Sequence, residues 1–74
     1  MWTWRELKAL FEGSFGPGCG ARRIERDGFR IYRCVRRQPS ETGGADTWLT
    51  DYRVVARDGT TTEIPDPGVT SQAW

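Results

Sequence analysis

Residues 21–37 read ARRIERDGFRIYRCVRR, and the pair Asp27-Gly28 near the middle of that stretch decides how the chain folds. Asp and Gly both tolerate the left-handed backbone that a two-residue hairpin turn demands at its central positions. The runs on either side are strand-like, with Ile24, Phe29, Ile31, Tyr32 and Val35 spaced among arginines. A two-residue turn sets Ile24 opposite Ile31 and Glu25 opposite Arg30, pairing apolar with apolar and acid with base. Two buried free thiols are the default reading of Cys19 and Cys34. The register, which sets Cys34 opposite Ala21 with Cys19 diagonal to it, favours free thiols over the alternative of a bridge between the two arms.

Downstream, QPSETGGAD (38–46) carries turn residues and no apolar anchor, and is expected to be a loop. The run Thr47 to Arg57 then alternates. Trp48, Tyr52, Val54 and Ala56 share one parity and form the expected core face, while Asp51, Arg53 and Arg57 share the wet one. A second Asp-Gly, at 58 and 59, turns the chain into Thr60 to Ile64, and a three-residue loop there pairs Tyr52 with Ile64 and Arg53 with Glu63. The run YRVVARDGTTTEI has the strand, turn, strand look of many small sheets and carries no diagnostic residue. Pro65 and Pro67 end the last strand.

Upstream, Thr3 and Glu6 stand three apart and form a capping box, with Trp2 and Leu7 in the positions of a hydrophobic staple. A helix therefore begins at Trp4. Trp4, Leu7, Leu10 and Phe11 make its apolar stripe, and Gly13 is expected to close it. GSFGPGCG (13–20) admits neither helix nor strand and connects helix to hairpin. The expected fold is α+β and two-layer: an N-terminal helix packed on a three- to four-stranded antiparallel β-meander. Residues 1–65 form the domain and 66–74 a C-terminal tail.

A chain of 74 residues with 36% hydrophobic content has material for one core. Its nine aromatics each bury more area than an aliphatic side chain would, which offsets the short length. The net charge of +1 provides no global field to attract nucleic acid, and a nucleic-acid mimic would need a strongly acidic balance. No apolar run approaches the roughly 18 residues of a membrane span, and the start lacks the basic-then-apolar order of a signal peptide. The expectation is no membrane association and a cytoplasmic location.

Histidine is absent, which removes the commonest general base and every site that depends on imidazole. Lys8, the single lysine, lies on the expected solvent face of the helix, without the burial that would activate it. Cys19 and Cys34 lack zinc-site spacing. The glycine-rich segment follows a helix rather than preceding one and lacks the Gly-Lys-Ser/Thr ending of a phosphate loop. The reading is a non-enzyme with no metal and no cofactor.

Two surfaces are candidates for binding. Arg22, Arg23, Arg30, Arg33, Arg36 and Arg37, with Tyr32 among them, could follow a phosphate backbone or stack on unpaired bases, although alternation divides them between two faces. Four tryptophans exceed what so small a domain encloses, and exposed Trp beside Arg is the composition of protein-binding hot spots. The sequence therefore points first to a small protein-binding module, an accessory or inhibitory protein that recognises a protein partner or itself through Trp2 and Trp74. A nucleic-acid-binding sheet on the Arg-rich hairpin 22–37 is the alternative.

Overall fold

A computed structural model of the protein describes residues 2–17 and 20–68. The helix α1 runs from Trp4 to Phe15. Its start is the capping box: the Glu6 N–H donates to Thr3 Oγ1 at 3.1 Å, and the Thr3 N–H donates to Glu6 Oε1 at 3.2 Å. These bonds satisfy two of the backbone donors that a helix start leaves without partners.

The helix does not stop at Gly13. It continues through Ser14 and Phe15, and Gly16 caps it at φ 83°, with its N–H donating to the Glu12 carbonyl at 2.8 Å. The reason is tertiary. The extra residues bring the Phe15 ring to 6.0 Å from Phe11 and beneath the Arg22 guanidinium, at 5.4 Å.

Four strands follow, β1 (Arg22–Arg26), β2 (Phe29–Gln38), β3 (Thr47–Val55) and β4 (Thr61–Ile64), in one antiparallel sheet of order β1-β2-β3-β4. Both hairpin registers match the sequence reading: Ile24 faces Ile31, Glu25 faces Arg30, Tyr52 faces Ile64 and Arg53 faces Glu63. Asp27 at φ 53° and Gly28 at φ 83° supply the paired left-handed residues of the first turn. The expected pairing of Ala21 with Cys34 does not form, because β1 begins one residue later, at Arg22.

The helix lies on one face of the sheet. Leu7, Phe11, Ile31, Tyr52 and Val54 form the buried cluster, flanked by Trp2, Trp4, Leu10, Ile24, Phe29 and Ile64. Burial pushes the Tyr52 hydroxyl above its ordinary pKa, so it stays neutral inside this cluster. Leu49 is also buried but has the opposite parity to Tyr52, on the helix-free side of β3.

Beyond Ile64 the chain stays tied to β3. The Thr50 N–H donates to Asp66 Oδ2 at 2.8 Å, and the Asp66 N–H donates to Asp51 Oδ1 at 2.9 Å. At the far end of the sheet Ser40 organises the β2–β3 loop, its Oγ accepting from the Gly44 N–H at 3.0 Å and the Thr42 N–H at 3.3 Å. No described helix is long and apolar enough to cross a membrane.

Candidate functional site

Strand length against helix length creates the most unusual surface. Ten residues of β2 extend about 33 Å at strand rise, whereas the 12 residues of α1 cover about 18 Å. The β2–β3 ribbon therefore runs out from beneath the helix, in a molecule measuring 42 × 25 × 23 Å. On its helix-side face the projecting part carries Val35 opposite Thr50 and Arg37 opposite Trp48.

Among the described residues three large apolar side chains are exposed, Trp48 at 63%, Phe15 at 44% and Val35 at 36%. All three lie on the helix side of the sheet, two on the ribbon and one at the end of α1. Trp48 has the parity assigned to the core from sequence, yet it is the most open of them. The helix that covers Tyr52 and Val54 does not reach it.

The other tryptophans are differently placed. Trp4 is half-buried, donating its indole N–H to the Thr50 carbonyl at 2.8 Å, with Lys8 over its ring at 5.5 Å. Trp2 is half-buried and meets Phe29 edge-on at 6.4 Å, the two helping to line an open groove with Glu6, Val54, Thr62 and Ile64. Trp74 lies outside the described residues.

The arginines of the hairpin divide between the two faces and between different tasks. On the helix side Arg33 is only 5% exposed; its Nε donates to the Gly20 carbonyl at 2.8 Å and its guanidinium lies 5.4 Å from the Phe11 ring. It seals the open end of the core. Arg22 stacks on Phe15, and Arg37 stands 3.6 Å from Asp46.

On the helix-free face Tyr32 is half-buried between Arg23 and Arg53 in the register, with Arg30 and Arg36 further along β2. Most of this positive charge is already partnered: Arg36 with Asp51 at 2.8 Å, Arg53 with Glu63 at 2.7 Å and Arg23 with Glu25 at 3.8 Å. A phosphate approaching this face would have to displace those carboxylates. Cys34 stands here too, opposite Asp51, a free and exposed thiol rather than the buried one expected, because its parity turns it away from the helix. Cys19 lies outside the described residues.

Among the described residues no three His, Cys, Asp or Glu side chains gather as a metal site would require. The sequence reading anticipated exposed tryptophan but did not find Trp48. The available signal was the ribbon's excess length over the helix. No family model, curated protein or solved structure matches this chain, so its surface carries the functional argument.

Proposed function

We propose that this chain is a protein-binding module whose contact surface centres on Trp48. One observation supports it above the others: among the described residues the three exposed large apolar side chains all lie on the helix side of the sheet, with Arg37 paired to Trp48 in the register. Apolar anchors beside arginine are what hot spots are made of. Such a module acts by occupying a partner's surface, as accessory and inhibitory proteins do. Trp2 belongs to a separate groove near the helix start and contributes less, because it is half-buried and Phe29 already meets its ring edge-on.

The test is affinity capture from the source cell with the wild-type chain, Trp48→Ala, and a triple Arg23→Ala, Arg30→Ala, Arg36→Ala variant, each repeated after nuclease and at raised salt. A protein partner survives nuclease, survives the triple variant and is lost with Trp48→Ala, at a cost of about 2 kcal/mol or more. Trp48 is largely exposed, so folding of that variant is expected to be intact, and circular dichroism checks it. Retention of nucleic acid that collapses with salt and with the triple variant would replace this reading with the sheet-on-phosphate one.

A further inference from the structure

Partners divide the arginines of this chain unevenly. Arg23, Arg36, Arg37 and Arg53 face carboxylates, while Arg22 and Arg33 lie over the rings of Phe15 and Phe11. Among the described residues this leaves Arg5, Arg26, Arg30 and Arg57 in neither an ion pair nor a ring contact, although Glu25 stands opposite Arg30 in the register. Three of those four border a single open cleft of about 400 Å³.

Topology brings them together. In a four-stranded meander the β1–β2 and β3–β4 connections share one end of the sheet, so Arg26-Asp27-Gly28 and Arg57-Asp58-Gly59 lie at the same end, away from the β2–β3 loop. Gly28 then has two tasks. Its φ of 83° completes the turn, and its missing Cβ leaves the space the Arg57 guanidinium occupies, from which a Cβ would displace it. Arg57 is thus laid against the turn with its fork of donors uncommitted, which reduces the ordering cost of gripping a ligand.

We propose that this cleft is an oxyanion site, taking a compact diphosphate-class ligand between Arg57 and Arg30, with Arg26 at its border on the other face of the hairpin. Two carboxylates also border it, Glu25 and Asp27. Glu25 is within 3.8 Å of Arg23, outside the cleft, so it offsets the guanidinia only in part. Three arginines against two carboxylates leave the border of the cleft with a surplus of one positive charge. A multiply charged anion gains from several guanidinia at once, whereas a monovalent one gains little beyond screening. The site is independent of the Trp48 surface, which belongs to the other end of the ribbon.

The experiment follows backbone amide shifts during titration with inorganic pyrophosphate, against sodium chloride at matched ionic strength. Saturable shifts confined to residues 25–30 and 56–59 are expected with pyrophosphate alone. Arg57→Ala should weaken binding about tenfold or more, the loss of a charge-assisted bond. Gly28→Asn keeps a residue that tolerates the left-handed turn but places a Cβ in the guanidinium's space, and should weaken binding similarly. Asp27→Asn removes an opposing charge and should tighten it, and Arg5→Ala should leave it unchanged. ADP as a second probe separates sources: affinity equal to pyrophosphate assigns the site to diphosphate alone, and tighter binding to a nucleotide carrying it. Shifts that fail to saturate, that chloride reproduces, or that persist unchanged in Arg57→Ala would overturn the proposal.

Discussion

Asp51 gathers more polar contacts than its half-exposed position suggests. Its two oxygens accept from Arg36 Nε at 2.8 Å and Nη2 at 3.3 Å, and Oδ1 also accepts the Asp66 N–H at 2.9 Å. The Arg36 hydrogen bonds, with help from the Asp66 N–H, hold its pKa below the ordinary 3.8. The folded chain therefore resists protonation of Asp51 more than the unfolded chain does. The resulting stability is present above the unfolded value and is lost as pH falls from about 4 through the lower folded pKa. Denaturant midpoints taken across that window should fall for the wild type and fall less for Asp51→Asn; parallel curves would remove Asp51 from the acid response. Thr3 is a simpler case. Thr3→Ala loses the acceptor for the Glu6 N–H and should cost on the order of 1 kcal/mol, read as a lower denaturant midpoint.

Glycines separate what was legible at the level of elements from what was not. The two Asp-Gly turns fixed both hairpin registers because turn chemistry is local: left-handed backbone at 27 and 28 determines which residues face each other however the rest packs. The end of the helix was not local. The sequence reading places the cap at Gly13, and the contact of Phe15 with Arg22, beyond the helix, goes with its move to Gly16. Opposite mutational signs follow. A Cβ at Gly13 meets nothing within 4 Å and sits in helical backbone, so Gly13→Ala should stabilise by about 0.5–1 kcal/mol. Gly16→Ala must adopt φ 83° and should destabilise by about 1 kcal/mol. Thermal melts of the two variants decide it, and equal shifts would return the cap to Gly13. Trp48 shows the same limit in the sheet: alternation gives the face of a residue, whereas its exposure depends on how far α1 reaches along β3.

Across the whole molecule, one end of the sheet has a second layer and the other has none. Ile31, Tyr52 and Val54 are sealed beneath Leu7 and Phe11, while Arg36–Gln38 and their partners Leu49, Trp48 and Thr47 form a ribbon whose helix-side face meets solvent. Backbone hydrogen bonds of a ribbon with one face uncovered open locally at lower free energy than those under the core. Native-state hydrogen exchange should therefore show two regimes in a dilute monomer. Amides of residues 31–33 and 52–54 should exchange only through global unfolding, while those of residues 36–38 and 47–48 should exchange orders of magnitude faster through local opening. Raising the protein concentration tests whether a second copy supplies the missing layer, since association stabilises the associated form by mass action. Protection at 36–38 and 47–48 that rises with concentration and disappears in Trp48→Ala would identify self-association through this face. Protection that stays low at every concentration leaves the surface open to a different protein. Protection equal to the core in the dilute monomer would mean that the ribbon needs no partner, and would count against Trp48 as the centre of an interface.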